Sequence, residues 1–434
     1  VFPPFKIIAS LAKVVSQAAE FFAGPNWDKK VVGADAYTYY QQLRPALQYQ
    51  RMMRHLLSQF DVLLWEERDN VGELVSVAYN VDTLFAIMFH SSKAVTEFIE
   101  DHKQQKAKAQ NAATRTPIGV QLLRRSVEFA QTSGELANAC LRGFLLLINR
   151  SAPQAALLAE IREEIEAHIT EVSRRIQESA HKLLTTTTDQ QTEATKYALM
   201  AVLEIISAFN HPSYAHIART VSQEYVKNYS RDSIIFNVLD AEGAGKGNME
   251  GSGAAKFIDD DVRLSAAQCL ATIDVSSFSQ QGIQYLLDLF SAVPTVITPT
   301  RFQVMTTLMY FMFKLAVHDN DAESTAQNSG SGTNAAENQP GRVFRSLYAS
   351  EISNCIFTLL ERLVIEGSPE QASYWETRFM QSCVKFLMSG WVKYEFHADN
   401  LGQRPVEIMT AIAIKEQQRI NALNIQFDEK IGRA

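Results

Sequence analysis

The side chains in this chain best suited to chemistry are nine histidines, four cysteines and a few spaced carboxylates. The histidines are His55, His90, His102, His168, His181, His211, His216, His318 and His397. A zinc-protease helix needs two histidines four residues apart with a glutamate between them, so that two imidazoles and a general base share one face. No pair has that arrangement, and His211 and His216 flank Pro212 at a spacing that fits one metal face poorly. Glu164, His168 and Glu171 do fall on one helical face. Such sets hold di-metal centres when other helices bring matching motifs; alone, the triplet reads as a solvated surface.

Ala244-Gly-Lys-Gly247 follows the apolar run Ile234–Leu239 and invites comparison with a phosphate-binding loop. That loop needs a glycine five residues before Gly-Lys and a Ser or Thr after it, so that backbone donors, the lysine and a hydroxyl converge on phosphate and Mg²⁺. Here Asp240 and Gly247 occupy those two positions. The segment reads as a linker. There is no Gly-x-Ser-x-Gly elbow and no cysteine in a recognisable nucleophile setting. The expected catalytic, cofactor and metal residues are therefore none. Tyr37, Tyr39 and Tyr40 beside Arg44, with Trp391 and Tyr394 later, are residue types enriched at protein interfaces. Tyr39, Tyr40, Arg44, Trp391 and Tyr394 are the candidate interaction surface.

The elements that must carry these residues are helices. Apolar residues make up 46% of the chain and charged residues 21%, an ordinary globular balance that excludes a mainly disordered chain. Nineteen glycines and 12 prolines are few for 434 residues, and few breakers favour long helices. A net charge of −7 argues against nucleic acid as the main ligand, since backbone binding needs a concentrated basic face. The local basic set Lys103, Lys106, Lys108, Arg115, Arg124 and Arg125 reads as solvated helix ends. Cys140, Cys269, Cys355 and Cys383 form no Cys-x-x-Cys pair and sit in apolar helical patterns. They read as reduced core residues of an intracellular, reducing compartment, cytoplasm or nucleus, or of an organelle if a presequence has been removed. The most apolar stretch, Phe302–Phe313, is shorter than the roughly 20 residues that span a bilayer. The chain opens on Val1, which fits a processed chain or a piece of a longer one.

Periodicity of three and four predicts helices over 5–23, 36–67 with a break at Pro45, 71–90, 92–108, a segment from Pro117 to Gly134, 135–149, 153–184, 191–209 and 212–228. The stripe Leu157, Leu158, Ile161, Ile165, Ile169, Val172, Ile176 and Leu183 makes 153–184 the clearest of these, with Glu171–Arg175 and Glu178–Lys182 as pairs on its solvated side. Further helices are expected at 344–366, 369–389 and 405–427. Only Val293–Ile297 has strand character. The division expected is a helical region over 1–240, a flexible linker over 241–257, and a helical-repeat region over 258–434 containing a disordered loop at 320–342.

Asp259-Asp-Asp-Val-Arg-Leu-Ser-Ala-Ala-Gln-Cys-Leu270 resembles the first half of a HEAT-type repeat. In that pattern an acidic residue, Val-Arg, small residues and Leu recur on packed helices. With helices expected at 278–292 and 300–317, the order is similar to the middle of an importin-type transport receptor. The resemblance implies stacked helix pairs and a surface that binds cargo or a small GTPase. No fixed repeat period extends beyond this segment, so the fold expected is all-α: irregular stacked helical hairpins, HEAT/armadillo-like or a helical scaffold. The function expected is a non-enzymatic scaffold or adaptor that binds other proteins in a hetero-complex. The alternatives are an importin-like module and an enzyme whose site is assembled from dispersed residues.

Overall fold

The computed structural model describes residues 45–65, 71–108, 116–185, 193–214, 216–217, 234–239, 258–273 and 299–326, with shorter stretches at 286, 356, 360, 378–385, 407, 410–415, 417–418 and 420–421. Among the described residues there are helices and no strand, so the chain is all-α there. The expected helix at 5–23, the strand-like Val293–Ile297, the linker 241–257 and most of 344–366, 369–389 and 405–427 lie outside them. Two compact units are distinguished. The first comprises Val1–Val221 with Gly251–Phe257, and the second comprises Ser222–Glu250 with Ile258–Ala434.

The first unit is built around one helix. It contains α1 (Pro45–Trp65), α2 (Val71–His90), α3 (Ser92–Lys108), α4 (Ile118–Phe129), α5 (Gly134–Ile148), a 3-10 turn (Ala155–Leu158), α6 (Ala159–Glu166), α7 (Ile169–Thr185), α8 (Glu193–Phe209) and a second 3-10 turn (Pro212–Tyr214). α5 packs against α2, α4 and α8. A helix enclosed on several sides must be apolar nearly all round, and α5 buries Leu136, Ala137, Cys140, Leu141, Phe144, Leu146, Leu147 and Ile148. Close approach needs small residues. A Cβ on Gly143 would lie 2.3 Å from the Phe85 ring of α2.

Capping sets the starts. Ser133 accepts the Leu136 N–H, and Ser91 accepts the Ala94 N–H at 3.3 Å before α3. Pro45 is the first residue of α1, where a missing N–H costs nothing. Three rings then lock α1, α2 and α3 together. Phe60, Phe85 and Phe98 meet edge-to-face with centroids 5.3 to 6.2 Å apart.

Three expectations are corrected. Gly134 opens α5 instead of closing the helix before it, which ends at Phe129. The reason is packing, since a Cβ there would come within 3.1 Å of Ala194 and Thr195 at the start of α8. The stripe over 153–184 is not one helix. It divides into the 3-10 turn, α6 and α7, with the break between α6 and α7 at Ala167 and His168. There the His168 ring Nδ1 donates to the Glu164 carbonyl at 2.9 Å, while the His168 N–H goes to Ile165 at 3.0 Å. The side chain has taken the carbonyl that the backbone N–H would use in a continuous helix. At 212–228 the described part begins as a 3-10 turn, and 218–228 lies outside the described residues.

The second unit contains α9 (Ile234–Leu239), α10 (Asp260–Thr272) and α11 (Pro299–Ala326), with α10 packed against both others. The apolar run before Ala244-Gly-Lys-Gly247 is thus a helix, whereas a phosphate-binding loop follows a strand. Asp259 caps α10 by accepting the N–H groups of Asp261 and Val262. Val262, Ala266, Ala267, Cys269 and Leu270 are buried, as are Leu286 and Leu308. Lys314 of α11 donates to the carbonyls of Ala271 and Ile273 at 3.3 and 3.4 Å, where the end of α10 leaves acceptors unfilled. α11 continues to Ala326, seven residues into the segment expected to be a loop. Extending an existing helix through Asp319–Ala326 costs little compared with starting one. No helix among the described residues is long and apolar enough to cross a membrane.

Candidate functional site

The expected interaction residues Tyr39, Tyr40, Arg44, Trp391 and Tyr394 lie outside the described residues. The Glu164, His168 and Glu171 triplet does not share one helix, since Glu164 lies on α6, Glu171 on α7 and His168 in the break between them, and each member is engaged elsewhere. Glu164 pairs with Lys106, His168 holds a backbone carbonyl, and Glu171 bonds Arg174 and Arg175. Among the described residues no group of three His, Cys, Asp or Glu is placed to hold a metal ion. Glu171–Arg175 forms at 2.8 Å as its spacing predicts, while Glu178 turns to Arg174 and Arg175. Four of the basic residues of 103–125 are likewise paired, Lys106 with Glu164 among them. Lys103 meets Glu160 at 3.1 Å, and Arg124 and Arg125 share Glu128. Cys140, Cys269 and Cys383 are buried, and burial pushes the Cys140 thiol up to about 12, which disfavours the reactive thiolate.

One polar constellation is not revealed by spacing. It gathers where α5 ends, and it joins Arg150, Arg162, Glu166, Tyr214 and His216. α5 stops at Ile148, and the Asn149 side chain accepts the Ser151 N–H at 2.9 Å, turning the chain. The Ile148 carbonyl, unfilled at the helix end, accepts the Tyr214 hydroxyl at 2.6 Å. Tyr214 arrives from the 3-10 turn after α8, is fully buried, and packs edge-on to Phe209 at 5.3 Å. The Arg150 guanidinium lies 4.5 Å from the centre of that ring. Its Nη2 donates to Glu166 Oε1 at 2.6 Å, and His216 Nε2 stands 3.6 Å from the other Glu166 oxygen.

Arg162 completes the cluster. It precedes Glu166 by one turn of α6, so both side chains project from the same face. It is only 5% exposed. Its Nη2 donates to the Ala155 carbonyl, and its Nη1 is buried without a hydrogen-bond partner. Burial pulls its pKa down, and the charge of Arg150 adds to that pull, against the influence of Tyr214 and Glu166. Burial also raises the Tyr214 phenol, opposed by Arg150. For Arg150 the bonds to Glu166 and Tyr214 outweigh burial and raise its pKa. Two guanidiniums against one carboxylate leave a net positive charge. Guanidiniums do not exchange protons near neutral pH, so the chemistry open to Arg150 and Arg162 is binding rather than proton transfer.

Other charged groups tie helices together as well. Between α3 and α6, Lys103 and Lys106 meet Glu160 and Glu164, and the buried His102 has its Nε2 3.6 Å from Glu164. In the second unit, Asp260 is shared by Arg263 at 3.1 Å and Arg301 at 3.6 Å. The sequence signal that leads toward the main cluster is the Arg162–Glu166 spacing of four. Arg150 and Tyr214 join only through the fold. No protein-family model, no curated protein and no solved structure matches this chain.

Proposed function

We propose that this chain is a non-enzymatic helical scaffold or adaptor that binds other proteins as a subunit of a hetero-complex. Tyr310 is the observation that carries the reading. It stands 64% exposed on α11 between the buried Met309 and Phe311. Residues 301–312 of α11 bury most of their side chains yet present this tyrosine outward, the kind of contact that dominates interface energetics. Ile414 and Ile420 are further exposed aliphatic side chains of the same unit. The packing of α10, which buries the small Ala266 and Ala267, against α11 supports stacked helical hairpins of the HEAT kind as the framework.

The test is recovery of the tagged protein under native conditions, compared with Tyr310→Glu. A stoichiometric complex that loses its partner in the variant, at unchanged melting temperature, is the expected result. A complex identical in both proteins, or none, removes the support that Tyr310 gives. Recovery of a small GTPase that depends on the bound nucleotide moves the reading to the importin-like alternative.

A further inference from the structure

We propose that Arg150 and Arg162 form a receptor for a single oxyanion, a carboxylate or phosphate group, at the junction of α5, α6 and the turn after α8. Three observations carry this. The first is charge. Among the described residues the two guanidiniums are answered by Glu166 alone, and that carboxylate is drawn to Arg150. The second is unfilled hydrogen-bonding capacity. Arg162 is 95% buried, yet its Nη1 has no partner, and Arg150 Nε is also buried and unpartnered. A buried donor on a charged group without an acceptor is costly, so the site favours a ligand that brings oxygen. The third is a route from solvent. Arg150 is 29% and His216 61% exposed, so the cluster reaches solvent at these two residues.

The groups around the site are already held. The Tyr214 ring underlies Arg150, its hydroxyl is fixed to Ile148, and Arg162 is tied to Ala155. Little side-chain freedom remains to be lost on binding. Arginine suits the task because its planar fork offers parallel N–H groups to two oxygens of one anion. Glu166 competes with such a ligand for Arg150. The inference is independent of the scaffold reading, whose test lies at Tyr310 in the other unit.

The experiment uses the full chain and two probes, inorganic phosphate and acetate, titrated against chloride at constant ionic strength. Binding is read by calorimetry and by the melting temperature. Wild-type protein is expected to bind at least one probe saturably. Arg150→Gln, a partly exposed position, is expected to weaken that binding about tenfold or more, the loss of one charge-assisted hydrogen bond. Glu166→Gln removes the competing carboxylate and is expected to tighten it. General stabilisation by an excluded salt acts equally on wild type and Arg150→Gln, so the difference between them isolates the site. Preference for phosphate identifies a phosphoryl group as the natural ligand, preference for acetate a carboxylate, and equal affinity supports the shared chemistry. Absence of saturable binding of both probes to wild type, or binding unchanged in folded Arg150→Gln, overturns the proposal.

Discussion

Arg142 of α5 lowers the pKa of Asp82 on α2, and that pull does not offset burial. Asp82 is 9% exposed, and one of its oxygens has no hydrogen-bond partner. Burial pushes the carboxyl up to about 6 against the opposing charge of Arg142. Arg142 meanwhile gives its Nη1 to Glu204 of α8 at 2.7 Å. One guanidinium thus serves two carboxylates, and the more buried of them has the weaker hold.

A pH dependence with a definite sign results. The folded pKa of Asp82 lies above its unfolded value, so the folded state holds the proton more tightly. Stability from this group is fully present below about pH 4 and is lost as pH rises through about 6. Asp82→Asn mimics the protonated form. It is expected to stabilise the protein at pH 7 by up to about 3 kcal/mol, with the gain shrinking toward zero near pH 4. Urea unfolding of both proteins across that range gives the difference directly. A gain that is the same at pH 4 and pH 7 rules out the titration as its source.

Gly143→Ala tests the closest helix approach. The new methyl meets the Phe85 ring at 2.3 Å, and that ring is held by Phe60 and Phe98. Overpacking of about 1–3 kcal/mol exceeds the roughly 0.5–1 kcal/mol gained by replacing a helical glycine. The urea midpoint should fall. A rise means that Phe85 moves aside freely.

In the second unit, Leu286→Ala and Leu308→Ala each remove a side chain that is buried. Each should cost about 2–5 kcal/mol. A change below about 0.5 kcal/mol, the range of ordinary surface substitutions, is incompatible with either residue lying in a packed core.

Tyr214→Phe keeps the ring beneath Arg150 and deletes the hydroxyl bonded to Ile148. The carbonyl at the end of α5 then loses its buried donor, at a cost of about 1–3 kcal/mol. Amide exchange near 148–151 should quicken more than exchange at the middle of α5. Uniform quickening along α5 indicates that the ring rather than the hydroxyl was disturbed.

Helical periodicity made α2 and α3 legible almost to the residue, because their apolar faces and the Ser91 cap are local features. The same reasoning joined α6 to α7. The apolar stripe continues across Ala167 and His168, while the break depends on where one imidazole finds an acceptor. Gly134 was ambiguous for a similar reason. Glycine can close a helix or admit a neighbour, and only the start of α8 decides which. Within the candidate site, the spacing of four between Arg162 and Glu166 is a local feature, but nothing in the sequence set it apart from any other charged pair on a solvated helix face. Arg150 and Tyr214 come from turns after different helices, and no local pattern records their meeting. Among the cysteines, burial of Cys140, Cys269 and Cys383 followed from their apolar surroundings in sequence.

The triangle of Phe60, Phe85 and Phe98 has a consequence for how the molecule comes apart. Each ring belongs to a different helix, and each touches the other two. Withdrawing any one of α1, α2 or α3 strips edge contacts from both remaining rings at once. Fraying at the helix tips can proceed separately, but the amides nearest these rings should share a single opening free energy in hydrogen exchange. The three helices therefore form one cooperative element, and a weakness introduced in any of them is felt in all three.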